Sequence, residues 1–185
     1  LGFPFPFYDS TFTALRVSTN GFLSFTSSST QYTNQPLPNA GAPGNLLAPL
    51  WDDLDFDGVQ RAYYHGNSDR FIVQYQAVNR WSGSGNYTFQ VILYPNGRIL
   101  YQYHTLTGTL TSSTVGIQNA SSTDGLNVVF NAAYLHDNLA LEVLSPDLQT
   151  PPWISLSQTA GQVDGGQQQL ITVTHDATDL SSRQY

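Results

Sequence analysis

Pro95-Asn96-Gly97 lies between two runs of alternating apolar and polar residues, Tyr87 to Tyr94 and Arg98 to His104. Asn-Gly adopts the positive backbone dihedrals of a tight hairpin, so the chain is committed here to antiparallel pairing. Period-two alternation sends one side of each strand to a core and the other to solvent. Arg70 to Arg80 repeats the pattern, with Phe71, Val73, Tyr75 and Ala77 set against Arg70, Gln74 and Gln76. Further strands are predicted at Thr11 to Ser18 and Gly21 to Thr26 around Thr19-Asn20-Gly21, and at Asn45 to Trp51, Val59 to His65, Ser113 to Gln118, Leu126 to Asn131 and Leu139 to Leu144. Ser27 to Gly44, rich in Ser, Thr, Asn, Pro and Gly, reads as a long surface loop. About ten strands over residues 1–145 imply two packed antiparallel sheets, a jelly-roll-like β-sandwich.

Composition supports the all-β reading. The chain has no Lys and no Met and a single Glu, Glu142, beside eleven Tyr and ten Phe. Strong helix formers are scarce, and residues that fit a pleated, half-buried surface are plentiful. With a formal net charge of -7 and six Arg, the chain repels a polyanion, which excludes nucleic acid as the expected partner. No apolar run approaches the roughly 20 residues of a membrane span, so membrane insertion by a helix is not expected. A chain opening at Leu1 instead of Met is expected to be a processed product or an excerpt of a longer one. The sequons Asn86-Tyr87-Thr88 and Asn119-Ala120-Ser121 are compatible with a glycosylated exterior.

Residues 146–152 form a Pro-rich linker. Beyond it, Trp153 to Ser157 and Gln168 to Thr174 read as two strands, too little for an independent domain. An immunoglobulin-type sandwich needs about seven strands and about 100 residues.

The densest chemistry is the run Asp52-Asp53-Leu54-Asp55-Phe56-Asp57-Gly58 at the end of a predicted buried strand. Asp53, Asp55, Asp57 and Gly58 reproduce the first half of a D-x-D-x-D-G calcium loop, with Asp52 as a helper or a core-facing carboxylate. The position that a bidentate Glu would occupy in an EF-hand is Tyr64. Two readings follow: a structural calcium held in a turn, or a solvated acidic turn whose carboxylates repel one another until screened.

Catalytic motifs do not emerge. His65, His104, His136 and His175 lack metal-ligand spacing, there is no Cys, Ser84 lacks the G-x-S-x-G context, and a P-loop is impossible without Lys. Asp69, Asp124 and Asp137 read as turn formers. The aromatics Tyr63, Tyr64, Tyr75, Trp81, Tyr87, Tyr101 and Tyr103 make either a sugar-stacking platform or core and cross-strand pairs.

Five stretches together resemble a β-sandwich module of large secreted prokaryotic proteins and, more distantly, the nidogen-type extracellular domain. They are Leu1-Gly-Phe-Pro-Phe-Pro-Phe-Tyr8, Val17-Ser-Thr-Asn-Gly-Phe-Leu-Ser-Phe25, Leu47-Ala-Pro-Leu-Trp-Asp-Asp-Leu54, Thr88-Phe-Gln-Val-Ile-Leu-Tyr-Pro-Asn-Gly97 and Thr114-Val-Gly-Ile-Gln-Asn119. Residues 151–180 resemble the opening half of an Ig-like repeat, through Pro152-Trp-Ile-Ser-Leu-Ser157 and Ile171-Thr-Val-Thr-His-Asp-Ala-Thr178. The resemblance implies a non-enzymatic, extracellular or cell-surface protein of adhesive or structural architecture.

Two functional expectations follow. One is a self-assembling subunit of a surface filament or array, with copies joined by strand donation. In that reading Phe3, Phe5 and Phe7, on one face of a Pro-interrupted edge strand, and Trp153, Ile154, Leu156, Leu170, Ile171 and Val173 await cover from a neighbour. The alternative is a ligand- or glycan-binding adhesive module of a larger secreted enzyme or adhesin.

Overall fold

The computed structural model describes residues 1–56, 58, 61–81, 85–145, 148, 154–158 and 160–175. The chain divides into two compact units, Leu1–Val143 and Leu144–Tyr185. Among the described residues, all regular structure in the first unit is extended. In order, its strands are β1 (Phe5–Phe7), β2 (Ser10–Phe12), β3 (Arg16–Val17), β4 (Leu23–Ser24), β5 (Leu46–Trp51), β6 (Leu54–Asp55), β7 (Arg61–Gly66), β8 (Phe71–Arg80), β9 (Gly85–Leu93), β10 (Ile99–Gly108), β11 (Thr114–Gln118), β12 (Gly125–Phe130) and β13 (Ala140–Val143).

Two main sheets result. One runs β13-β10-β9-β8, with β8 flanked by β6 along one part and β7 along another. The other runs β12-β11-β5-β4-β3. Every pairing is antiparallel, and one core draws on both sheets: Val73, Tyr75, Phe89, Val91, Tyr101 and Tyr103 from the first, Leu23, Leu47, Val115, Ile117 and Val129 from the second. The antiparallel β-sandwich expected from the alternation is therefore the fold. The hairpin signal also holds, with Gly97 at φ 91° and its N–H donating to the Tyr94 carbonyl at 2.9 Å.

Strand β5 is buried on both faces, and it changes parity partway along. Leu46, Ala48 and Trp51 belong to a second cluster with Phe22, Leu37 and Ala42, whereas Leu47 and Leu50 belong to the main core. The cause is a bulge: Ala48 pairs with Gly116 and Trp51 with Thr114, so Pro49 and Leu50 oppose the single residue Val115. A proline, which has no N–H to give to a ladder, is tolerated in a central strand at such a point. The loop at residues 27–44 is more than a surface connection. It closes the second cluster with buried Leu37 and Ala42 and accepts the Trp51 indole N–H on the Gln31 carbonyl at 3.0 Å.

The N-terminal expectation requires correction. Phe3, Phe5 and Phe7 do not wait exposed for a neighbour; they are 9 %, 0 % and 5 % exposed within the first unit's own core. β1 pairs with β2, and Phe25 supplies the cover, with its ring centroid 5.4 Å from Phe5, 5.0 Å from Phe7 and 4.7 Å from Phe12. Aromatic pairing of this kind adds to simple area burial.

In the second unit, β14 (Ile154–Leu156) and β15 (Val173–His175) form a two-stranded antiparallel hairpin. Ile154 is half-buried, and Leu156, Leu170, Ile171 and Val173 are exposed. Trp153 and the Pro-rich linker, apart from Leu148, lie outside the described residues.

Candidate functional site

Alternation decides where the tyrosines go. In β8 and β10, Tyr75, Tyr101 and Tyr103 occupy the positions between Gln74, Gln76 and Gln102, so the rings point into the sandwich and the amides point out. Burial pushes all three phenol groups up in pKa, so they remain hydrogen-bond donors. Each hydroxyl reaches a backbone carbonyl on the opposite side of the core: Tyr75 to Ser18 at 2.7 Å, Tyr101 to Gly116 at 3.2 Å and Tyr103 to Pro49 at 2.6 Å. Tyr87 is buried too and donates to the Thr109 carbonyl at 2.7 Å. Of the two readings of the aromatics, the core reading therefore holds for these four. Tyr63, Tyr64 and Trp81 are the exposed ones, and they do not form a single platform: Tyr63 lies opposite Gln74, Tyr64 opposite Val73, and Trp81 follows the far end of β8.

The acidic turn is likewise divided. Asp52 is buried, with its carboxylate on the Arg80 guanidinium at 3.0 Å; it also accepts from the Ser112 hydroxyl and from the Asp53 N–H. It serves as the counter-ion of Arg80 at the sandwich edge. Asp53 and Asp55 are half-buried, and desolvation, the Asp52 charge and the Asp55 charge raise the Asp53 carboxyl pKa against the opposing pull of Arg80. Asp57 lies outside the described residues. Among the described residues no three His, Cys, Asp or Glu side chains converge on a metal position.

The sequons differ in setting. Asn86 is exposed on β9. The Asn119 side chain is engaged in its own turn, accepting from the N–H groups of Thr123 and Asp124 at 3.1 and 3.3 Å. Asp137 has a structural task beyond turn formation, since it accepts the Leu106 N–H at 2.6 Å beside the β10 bulge.

The feature that the aromatic reading missed is on the solvent face of the larger sheet. Cross-strand register places Tyr63, Gln74, Gln90, Gln102 and Ala140 in one row over five strands. Residues directly opposite on antiparallel strands share a face, so this is a continuous band of side chains. Gln90 Nε2 donates to Gln102 Oε1 at 2.6 Å, and Gln74 Nε2 donates to Gln76 Oε1 at 2.7 Å. These bonds tie the amides to one another across and along the strands. A depression of about 540 Å³ opens over them, lined also by Thr88, His104, Asn138 and Leu139. Its size falls among small-ligand sites, which run about 300–1,000 Å³. Among the described residues no Asp, Glu or Arg lines it. The next row along the strands is His65, Ile72, Ile92, Leu100 and Glu142, apolar at its centre, where Ile92 is buried, and polar at its ends.

The amide row was accessible from the sequence. Gln90 and Gln102 each stand six positions from Asn96, so the hairpin alone pairs them.

No solved structure matches this chain. A family model described as NIDO related matches residues 1–147, which covers the whole sandwich. The chain belongs to the NIDO-related family, and its sandwich is a nidogen-related domain.

Proposed function

We propose that the chain is a non-enzymatic, extracellular adhesive module that works by binding through the solvent face of its larger sheet. A nidogen-related domain suggests an extracellular module. The single observation that carries the binding reading is the row Gln74, Gln90 and Gln102 under the depression of about 540 Å³. Side-chain amides held by one another, in register, on a rigid sheet are a preorganised polar surface, and preorganisation lowers the ordering cost of binding. The expected test compares the full chain with Gln90→Ala/Gln102→Ala for retention on extracellular polysaccharide and protein fractions. Both substitutions lie on the solvent face, so the melting temperature stays unchanged while retention falls at least tenfold. Equal retention by the variant removes this face as the binding surface.

A second reading, self-assembly into a filament or array, is favoured by a different observation. All of β7 is exposed at the sheet edge, and among the described residues the edge away from β8 has no strand partner. An exposed edge strand is a template for β-addition. The donor would be the apolar run around Leu170, Ile171 and Val173 of another copy, with no part played by the Phe residues of β1. Deleting residues 151–185 abolishes polymerisation on this reading; an unchanged monomer before and after deletion excludes it.

A further inference from the structure

Resting on the binding reading above, we propose that the ligand of the amide-lined face is an uncharged polysaccharide lying across the strands from Tyr63 toward Asn138. Charge selects this class. Among the described residues the depression is lined by Gln74, Gln76, Gln90, Gln102, Thr88 and Asn138, which have neutral polar side chains, with His104 as the one titratable member apart from the buried Tyr103. Among the described residues no cation lines the depression itself; Arg61, opposite Gln76 beside it, donates to the Gly58 carbonyl at 2.7 Å, and an anionic glycan meets a chain of net charge -7. A protein partner would seek several aromatic and Arg anchors at the centre of the interface, whereas the centre of this face is a row of amides, with Tyr63 and Arg61 only at its β7 end.

Donor and acceptor count selects hydroxyl-rich ligands within the neutral class. A primary amide carries one acceptor oxygen and two N–H donors in a fixed plane, which matches adjacent hydroxyls that each donate and accept. Two hydrogen bonds within the face each use one donor and one acceptor of a glutamine pair, so every pair keeps further amide donors and an acceptor for a ligand. The ligand must also present C–H surface. The half-buried Ile72 and Leu100 flank the amide row on either side of the buried Ile92, and Tyr63, 55 % exposed, extends it at the β7 end. A pyranose has both kinds of surface, and its C–H face packs on the electron-rich face of a phenol ring. Five strands at about 4.8 Å spacing make the row from Tyr63 to Ala140 about 19 Å long, which suits several linked sugars better than one.

The test titrates the full chain with soluble hexasaccharides of neutral gluco, manno and xylo configuration and with an acidic uronate hexasaccharide, followed by calorimetry. The expected result is saturable binding of at least one neutral hexasaccharide and at least tenfold weaker binding of the uronate. Gln90→Ala/Gln102→Ala should weaken the neutral ligand at least tenfold and Tyr63→Ala about fivefold, with unchanged melting temperatures. A uronate that binds as well as the neutral ligands overturns the inference. So does the absence of binding by every neutral hexasaccharide at millimolar concentration. If the glutamine variant loses retention on extracellular protein while no hexasaccharide binds, the ligand class is wrong and the binding face stands; if it loses neither, the face itself is wrong.

Discussion

The hydroxyl of Tyr103 donates across the sandwich to the carbonyl of Pro49 at 2.6 Å, joining the larger sheet to the bulge in β5. At a bulge the ladder is locally broken, and a carbonyl left without its strand partner needs another donor. The tyrosines of β8 and β10 are thus interlayer fasteners as well as core volume. Their commitment to the core is what leaves the outward positions to glutamine.

Tyr103→Phe keeps the ring and strands the Pro49 carbonyl. The expected cost is about 1–3 kcal/mol in urea unfolding, the usual penalty for an unsatisfied buried acceptor. Tyr101→Phe should cost less, because its bond to Gly116 is longer at 3.2 Å.

Arg80→Ala leaves the buried Asp52 carboxylate with the Ser112 hydroxyl and the Asp53 N–H as partners. A loss of about 1.5–3 kcal/mol is expected, the range for a charge-assisted hydrogen bond. Denaturant unfolding of Arg80→Ala beside Asp52→Asn checks it. Removing both charges should cost less than the sum of the single changes.

Asp53 gives the acidic turn a pH signature. Its folded pKa is raised above the ordinary 3.8, so the native state holds this proton more tightly than the unfolded chain does. Stability from this group is therefore complete below about pH 3.8 and is lost as pH rises through the higher folded value. Asp53→Asn should raise the melting temperature at neutral pH and have no effect where the carboxyl is already protonated. The same comparison in calcium and in EGTA decides the metal reading: a cation on Asp53, Asp55 and Asp57 makes wild type the more stable at neutral pH, and EGTA reverses the order.

Gly21 closes the Asn20-Gly21 turn at φ 72°, and a Cβ there would lie 1.8 Å from the Leu50 carbonyl oxygen. Gly21→Ala is expected to cost at least about 1–3 kcal/mol, since left-handed backbone alone carries that penalty for a non-glycine residue. Thermal unfolding measures it, with Gly165→Ala, which meets nothing within 4 Å, as the control.

Much of the sandwich was legible because it depends on local signals. Period-two alternation located β8, β9 and β10, and Asn96-Gly97 set the register that brings Gln90 against Gln102. What was not legible depends on distant partners. The burial of Phe5 requires Phe25, the fate of Asp52 requires Arg80 from β8, and the parity change at Pro49 requires β11. The choice between an aromatic platform and core aromatics stayed open for a nearer reason: it needs strand parity, which sends Tyr75, Tyr101 and Tyr103 inward and Tyr63 outward.

Hydroxyl-radical footprinting of the full chain, free and bound to an extracellular polysaccharide fraction, tests the binding face most directly. Tyr63 and His104 border or line the face, while Tyr32, 60 % exposed in the loop at residues 27–44, lies off it and serves as the internal control. Protection of Tyr63 and His104 with Tyr32 unchanged is the predicted result. Protection of Tyr32 while Tyr63 and His104 remain fully labelled would contradict it.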